Sequence, residues 1–286
     1  MLFPLYDTNP HQRFPVVTIV LIAANTLIFV WFRSLPEKDE LWVLANYGFV
    51  PARVEQLVNP QKVVEVKFEQ LRRHPVLPVA QRQVIGVVRL PPDRSAVILS
   101  IFTMMFLHGG WMHLIGNMWF LWIFGNNIED RLGPLWYVFF YLLGGVVAVF
   151  CHWAVASGPD ALVPTVGASG AVSAVLGAYA ISFPFTYIRT LVFLGIFITL
   201  VDLPALVVLG VWFIVQLFEA QGMLQAGAQK GVAFWAHVGG FVAGWVFMPL
   251  FAPQSDERGS EMEKQLDDLF RHPEDERKHD RDEWRW

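Results

Sequence analysis

The sequence predicts an all-α polytopic membrane protein, and its composition and the separation of its charges are the observations that predict it. Hydrophobic residues make up 55% of the 286 residues and charged residues only 16%, whereas a soluble domain carries about 25% charged residues. Only five charged residues lie between Leu132 and Phe251. A water-soluble domain of that length could not cover its surface with so few charges, so an ordinary soluble enzyme is excluded.

The net charge and the cysteine content exclude further classes of protein. The net charge of −4 supplies no basic face for nucleic acid phosphates. Cys151 is the one cysteine, which excludes both a disulfide framework and a cysteine-based zinc site.

A membrane-spanning helix needs about 20 mostly apolar residues, and the sequence contains six candidate segments. We expect these spans at roughly 15–32, 113–128, 134–156, 168–183, 204–220 and 232–251. The apolar stretch 190–203 is shorter and ends at a proline, so we assign it to a loop or an interfacial segment. A seventh span there would place the C-terminus on the other side of the membrane.

This segmentation predicts three parts of the chain. Residues 1–14 form a short cytoplasmic N-terminus, and 15–252 form the membrane domain, with a long external loop at 33–97. Residues 253–286 form a solvated cytoplasmic tail, because 12 acidic and 7 basic residues follow residue 255.

The orientation and the location are inferred from the loops and from the start of the chain. Cations such as Arg13, Arg131 and Arg189 lie in the short loops on the side of both termini, which indicates that both termini are cytoplasmic. No Arg-rich, Ser-rich transit segment precedes the first span, so we expect the cytoplasmic membrane of a bacterium.

Polar side chains within apolar segments need a reason, because an unpaired polar group in hydrocarbon is costly. His113 and Asn117 are four residues apart in the second segment and share a helix face, and His108 lies just ahead of that helix. Taken alone, these residues are typical of hydrogen-bonding groups between membrane helices.

The fourth segment begins with a small-residue string around a serine. Gly167, Ala168, Ser169 and Gly170 follow one another. Such a string alone indicates only close helix packing. Its functional interpretation is that small neighbours leave the Ser169 hydroxyl open, while backbone N–H groups at a helix start can face an oxyanion.

The sixth segment carries a histidine on a glycine face. His237, Gly240 and Gly244 fall at i, i+3 and i+7 and therefore on one helix side. We expect this face to pack on the small face of the fourth segment. That packing would bring Ser169 and His237 within hydrogen-bond reach, as a serine–base pair requires.

Together these residues provide the parts of a serine hydrolase: a nucleophile, a base and oxyanion donors. Asp160, Asp202 and Glu219 are poorly placed to orient His237. We therefore predict a Ser169–His237 dyad without a carboxylate, and without a metal or cofactor.

With these motifs in order, the chain resembles the rhomboid family of intramembrane serine proteases from about residue 15 to residue 251. The strings that carry the resemblance are His108-Gly-Gly-Trp-Met-His113-Leu-Ile-Gly-Asn117-Met, Glu129-Asp130-Arg131-Leu132-Gly133, Gly167-Ala168-Ser169-Gly170 and Ala236-His237-Val238-Gly239-Gly240.

The resemblance implies a six-helix bundle with a water-filled cavity and single transmembrane helices as substrates in the lipid bilayer. The external loop after the first helix is longer than in minimal relatives. It implies Ser169 as the nucleophile and His237 as the base, with His113, Asn117 and the Ser169 N–H forming the oxyanion hole. Residues that support the oxyanion hole or the structure would be Gly167, Gly170, His108, Gly240 and Gly244.

The chain departs from the family pattern at two places. Some relatives carry a Trp-Arg pair where Leu99-Ser100 stands here, and an aromatic residue where Ser173 stands, four residues after the nucleophile. Neither position is a catalytic group, so neither departure excludes activity.

Three other functions are compatible with parts of this pattern. A non-proteolytic member of the same fold would bind transmembrane helices, but the presence of both Ser169 and His237 argues against it. A transporter would carry charged residues or broken helices at mid-membrane, and the segments show no central acidic residue. A metalloprotease could use His108, His113, His152 and His237, yet the sequence has no His-Glu-x-x-His string.

Overall fold

A bundle of helices forms most of the protein in the computed structural model, which describes residues 2–9, 13–73, 80–194, 197–226 and 234–252. The helices are α1 (Val16–Arg33), α2 (Glu37–Tyr47), α3 (Arg94–Thr103), α4 (Trp111–Leu132), α5 (Pro134–Val155), α6 (Ser169–Ser182), α7 (Ala205–Ala226) and α8 (Phe234–Phe251). Helices α1 and α4–α8 lie on the six segments that the sequence predicts. The predicted charged tail at 253–286 lies outside the described residues.

By length and composition, three of the described helices can cross a membrane: α1, α5 and α8. Helix α3 with its following 3-10 turn and helix α4 meet at a bend of 78°, and the pair would make a fourth span. Helix α6 has only 14 residues, or about 21 Å, against a hydrocarbon core of about 30 Å. The protein is therefore mostly helical with three to four candidate spans, and the six-span count stays a prediction.

The outer faces of the candidate spans are apolar. Leu27 on α1, Leu135 on α5 and Leu250 on α8 are 69%, 82% and 72% exposed. Contiguous exposed apolar surface is unfavourable in water, and a hydrocarbon surrounding removes that cost.

The prediction of an all-α fold is wrong, because the described residues also contain two antiparallel β-sheets. A two-stranded sheet pairs β2 with β3, and a three-stranded sheet has the order β1-β4-β5. The strands are β1 (Leu2–Asp7), β2 (Val64–Arg73), β3 (Ala80–Leu90), β4 (Tyr187–Leu194) and β5 (Phe197–Pro204).

The segment between α1 and α4 is folded around the β2–β3 hairpin. Residues of β2 alternate in burial: Val64 and Val66 are buried, while Glu65 and Lys67 are exposed. This period of two is the pattern of a strand with one covered face. Arg89 on β3 lies opposite Glu65 and binds it at 2.8 Å.

The described residues of the apolar stretch 190–203 lie in the paired strands β4 and β5 rather than in a seventh span. This stretch is rich in β-branched and aromatic residues, which favour strands. Strand β1 adds to β4 from the start of the chain, with Leu2 opposite Val192. The sheet thus joins the N-terminus to the connection between α6 and α7.

Helix α6 lies in the centre of the bundle. Its residues from Gly170 to Ala180 are buried, and it packs against α4, α5, α7 and α8. A central helix with small side chains allows its neighbours to approach closely. Its first residue, Ser169, is therefore surrounded by side chains from several helices.

The start of α1 and the end of α8 lie at the same end of the bundle. Glu129, near the end of α4, accepts hydrogen bonds from the backbone N–H groups of Val17 and Thr18 at 2.8 Å. The Phe251 ring of α8 contacts Trp136 in the first turn of α5. Because α4 runs directly into α5, these contacts lie at one end.

Candidate active site

Glycines set the contact between α6 and α8. A Cβ on Gly240 would meet the carbonyl oxygen of Gly170, and a Cβ on Gly244 would meet that of Ala174. Seen from α6, a Cβ on Gly177 would meet the carbonyl oxygen of Phe241. Because backbone faces backbone at each of these points, the two helices are as close as their main chains allow, as the small-residue faces predicted.

This contact brings a serine and a histidine together. The Nε2 atom of His237 lies 2.8 Å from Oγ of Ser169, which is hydrogen-bond distance. Ser169 is the first residue of α6 and His237 lies in the first turn of α8. The first N–H groups of a helix have no partner inside the helix, so the backbone N–H donors of the first turn of α6 lie near the Ser169 hydroxyl.

The turn before Ser169 depends on a glycine. Gly167 has a φ of +125°, which is in the region that disfavours side chains. A Cβ there would lie 2.6 Å from Cε1 and Nε2 of His113 and 3.6 Å from Oγ of Ser169. The His113 ring and the Ser169 hydroxyl therefore flank the same point, and the absence of a side chain keeps that point open.

His108 lies behind this turn rather than within the cavity. Its side chain is fully buried, and its Nε2 accepts a hydrogen bond from the backbone N–H of Ala168 at 3.4 Å. Gly167 is held from its other side, because its N–H donates to the carbonyl oxygen of Met104 at 2.9 Å. His108 thus supports the backbone that leads into Ser169.

The amide of Asn117 lies on the same face of α4 as His113. Its Nδ2 donates to the carbonyl oxygen of His113 at 2.7 Å, and the side chain is 7% exposed. An amide nitrogen carries two protons, so the second can serve another acceptor. Both residues line the cavity that holds Ser169.

The cavity has a volume of about 470 Å³ and contains the predicted residues Ser169, His237, His113, Asn117, Gly167 and Gly170. Gly240 and Gly244 lie behind it in the helix contact, and Leu99 and Ser100 on α3 do not line it. The structure thus brings the candidate nucleophile, base and donors together around one cavity.

The sequence-based interpretation missed Gln216 of α7. Its Oε1 lies 2.6 Å from Nδ1 of His237, on the side of the ring opposite to Ser169. A signal was present, because a glutamine in the middle of the apolar span at 204–220 needs a partner. The positions of the carboxylates give no partner for His237, because the group beside Nδ1 is an amide.

Aromatic rings also contact His237. The Trp212 ring of α7 lies 6.3 Å from the imidazole centroid at 36°, and Phe234 lies edge-on at 5.9 Å. Ser173, at the position where some relatives carry an aromatic residue, instead donates its hydroxyl to the carbonyl oxygen of Ser169 at 2.6 Å. The ring contacts to His237 therefore come from α7 and from α8 itself.

The described residues contain no group of three or more His, Cys, Asp or Glu that could hold a metal ion. His152 and Asp160 line the same cavity as His113 and His237, but they form no such group.

Curated proteins match parts of this chain. Presenilin-associated rhomboid-like protein A, mitochondrial, of Danio rerio is 30% identical over 108 residues, which cover 38% of this chain and 28% of that protein. Rhomboid-like protein 11, chloroplastic, of Arabidopsis thaliana is 42% identical over 80 residues, or 28% of this chain and 26% of that protein. Rhomboid protein 1, mitochondrial, of Saccharomyces cerevisiae is 32% identical over 119 residues, or 41% and 34%.

In each case the match spans about a third or less of the relative's length. The expectation of a bacterial cytoplasmic membrane is wrong, since these relatives are named as mitochondrial or chloroplastic proteins. The assignment of both termini to the cytoplasm fails with it. That expectation relied on the lack of an Arg-rich segment before the first span, and the start of a chain does not decide its location.

The family assignment follows from a longer match. The model of the Rhomboid domain matches residues 96–254. This range contains α4–α8 and every residue described above as lining the cavity. The match covers more than half of the chain. This protein belongs to the rhomboid family.

Proposed function

We propose that this protein is an intramembrane serine endopeptidase that hydrolyses peptide bonds in or near the transmembrane segments of single-pass membrane proteins. The observation that carries the proposal is the 2.8 Å contact between His237 Nε2 and Ser169 Oγ at the start of a helix. Membership of the rhomboid family supports a protease role in a membrane. The mitochondrial and chloroplastic names of the relatives favour an organellar membrane as its location.

In the proposed mechanism, Ser169 Oγ attacks the scissile carbonyl carbon while His237 Nε2 takes its proton. The resulting oxyanion accepts hydrogen bonds from Asn117 Nδ2, from the His113 ring and from the Ser169 N–H. The positive end of the α6 dipole adds to this stabilisation. His237 then protonates the leaving amine, and a water molecule releases the acyl group from Ser169.

A cavity is needed for both water and substrate, because water is scarce in hydrocarbon. The 470 Å³ space around Ser169 can hold several water molecules and a short extended stretch of peptide. The peptide bonds of a helix are shielded by their own hydrogen bonds, so we expect the substrate helix to unwind where it is cut. Glycine or proline near the cut would ease unwinding.

The experiment that tests the proposal compares the wild type with Ser169→Ala in liposomes that contain single-pass membrane peptides. Product masses identify the cut site. We expect cleavage by the wild type and none by the variant, because the variant lacks the nucleophile but keeps its volume. Cleavage at the wild-type rate by Ser169→Ala would refute the nucleophile assignment.

A fluorophosphonate probe separates a protease from a non-proteolytic member of the fold. Such a probe reacts with an activated serine, so labelling of the wild type and not of Ser169→Ala supports the proposal. The Ser173→Ala variant is the matched control, because Ser173 lies one helical turn further along α6 and donates its hydroxyl to the backbone. Equal labelling of the wild type and Ser169→Ala would contradict the proposal.

A further inference from the structure

Gln216 is a polar residue in an apolar stretch of α7. The helix is apolar from Ala205 to Phe218, and its neighbours Ile214 and Val215 are about half exposed on the outer surface. An amide in such a helix is costly unless it is hydrogen-bonded. Its described partner is His237, because Oε1 lies 2.6 Å from Nδ1.

The contact selects one form of the imidazole. The amide oxygen of Gln216 can only accept a hydrogen bond, so Nδ1 of His237 carries the proton and donates it. Nε2 of the neutral ring then has a free lone pair, and it lies 2.8 Å from Oγ of Ser169. A lone pair at this position is what a base needs to take the serine proton.

The same helix also limits rotation of the ring. Trp212 is four residues before Gln216, so the two side chains share a face of α7. The indole lies 6.3 Å from the His237 imidazole, while Gln216 holds its Nδ1 edge. One face of α7 thus places an indole ring beside the imidazole and an amide oxygen at its Nδ1 edge.

We propose that Gln216 is a positioning residue for His237: it holds the imidazole in the tautomer and orientation that direct the Nε2 lone pair at Ser169, so the protein has a Ser–His–Gln arrangement in place of an unsupported dyad. This inference rests on the proposed function. It places the nucleophile, the base and the orienting group on three different helices, α6, α8 and α7.

The kinetic test compares Gln216→Leu, Gln216→Glu and the control Val215→Ala, each in liposomes with a cleavable membrane peptide. We expect Gln216→Leu to lower kcat by roughly 10–100-fold, with KM nearly unchanged, because it has similar volume but accepts no hydrogen bond. Gln216→Glu restores an acceptor and should recover most of kcat. Val215→Ala should behave as the wild type. Wild-type kcat in Gln216→Leu would overturn the proposal.

The pH profile of Gln216→Glu gives a readout that a purely structural role would not change. A carboxylate beside Nδ1 stabilises the imidazolium, so the acidic limb of the kcat profile should move to higher pH by about one unit or more. Among the residues that the structure describes, the other titratable groups that face His237 are His113 of α4, His152 of α5 and Asp160 of the following loop. These groups are the same in the wild type and in Gln216→Glu. Superimposable pH profiles of kcat for the two proteins would therefore count against a contact between residue 216 and His237.

Nitrogen NMR of labelled His237 keeps the test independent of activity. In the wild type we expect a protonated Nδ1 and an unprotonated Nε2, and in Gln216→Leu a mixture of both tautomers. A wild type that carries its proton on Nε2 would show that Gln216 donates through its amino group, which would overturn the proposal. A protein with the expected tautomer but no Ser169-dependent cleavage would instead refute the proposed function and leave the contact intact.

Discussion

At the scale of single residues, the candidate site depends on which atoms are left available. The amide of Asn117 uses one proton on the carbonyl oxygen of His113, and its second proton is available to a ligand. The hydroxyl of Ser173 already donates a hydrogen bond to the carbonyl oxygen of Ser169. The residues that line the same cavity therefore differ in whether they can act on a substrate.

We expect Asn117→Ala to lower kcat by about 10²–10³, the cost of removing one oxyanion donor. The physical reason is that the donor is fixed before the charge develops, so its loss is felt mainly in the transition state. Steady-state cleavage of a membrane peptide measures this effect. The control is Asn46→Ala, because Asn46 is partly exposed on α2 and its described hydrogen bond is to the carbonyl oxygen of Trp42 in its own helix. An unchanged rate in Asn117→Ala would assign the role to His113 and the backbone.

Gly167 provides a second prediction at this scale. We expect Gly167→Ala to lower the free energy of unfolding by about 1–3 kcal/mol and to abolish cleavage, since a methyl group at a φ of +125° would also press on the His113 ring. Thermal unfolding in detergent and peptide cleavage are the measurements.

The matched control for this change is Gly158→Ala. Gly158 also has a positive φ, +55°, but nothing lies within 4 Å of its Cβ position. We expect the control to lose some stability and keep its activity. Equal loss of activity in both variants would show that backbone strain, rather than contact with His113, is responsible.

At the scale of elements, the site exists because α6 and α8 meet through glycines. The sequence predicted this contact from the spacing of Gly240 and Gly244, because helix periodicity fixes which residues share a face. It did not predict the interaction of His237 with α7, because the pairing of two polar groups on neighbouring helices depends on how far each helix is rotated.

We expect Gly244→Ala to destabilise the protein by about 1–3 kcal/mol, as overpacking does, and to lower activity by separating Ser169 from His237. The new methyl group would meet the carbonyl oxygen of Ala174, and backbone cannot move aside as a side chain can. Thermal unfolding and cleavage rate measure the two effects.

Gly210→Ala on α7 is the control for this prediction, because no atom lies within 4 Å of its Cβ position. There the gain in helix propensity should raise stability by roughly 0.5–1 kcal/mol. We expect the free energy of unfolding to fall in Gly244→Ala and to rise in Gly210→Ala. A stabilised Gly244→Ala would contradict the packing argument.

At the scale of the whole molecule, the sequence predicted the helices better than the sheets. Long runs of apolar residues identified α1, α5 and α8, since a membrane-spanning helix needs about 20 such residues. The strand β1 covers only Leu2–Asp7, and its pairing with β4 depends on residues far away in the chain. Short strands with distant partners leave little local signal, so the three-stranded sheet was missed.

Asp7 ties this sheet to the bundle. Its Oδ2 accepts a hydrogen bond from the Tyr179 hydroxyl of α6 at 2.6 Å and from Nδ2 of Asn127 of α4 at 2.7 Å. Tyr179 is fully buried, so its hydroxyl would be costly to leave without a partner. The start of the chain therefore contributes to the stability of the two helices that carry Ser169 and Asn117.

We expect Asp7→Ala to lower the free energy of unfolding by about 1.5–3 kcal/mol, the usual contribution of a hydrogen bond to a charged group. Asp39→Ala, on the exposed surface of α2, is the control and should have little effect. Thermal unfolding of both variants in the same detergent measures the difference. If both variants unfold at the wild-type temperature, Asp7 does not anchor the sheet.

The pairing of Leu2 with Val192 also sets an order of events during biosynthesis. At roughly 5–20 residues per second, a ribosome makes the first strand roughly 10–40 s before the strand that receives it. Until then the earliest residues have no edge to join, and Asp7 has no Tyr179 to bind. The sheet can therefore close only after α4, α5 and α6 have been made, so β1 stays unpaired while those helices are synthesised.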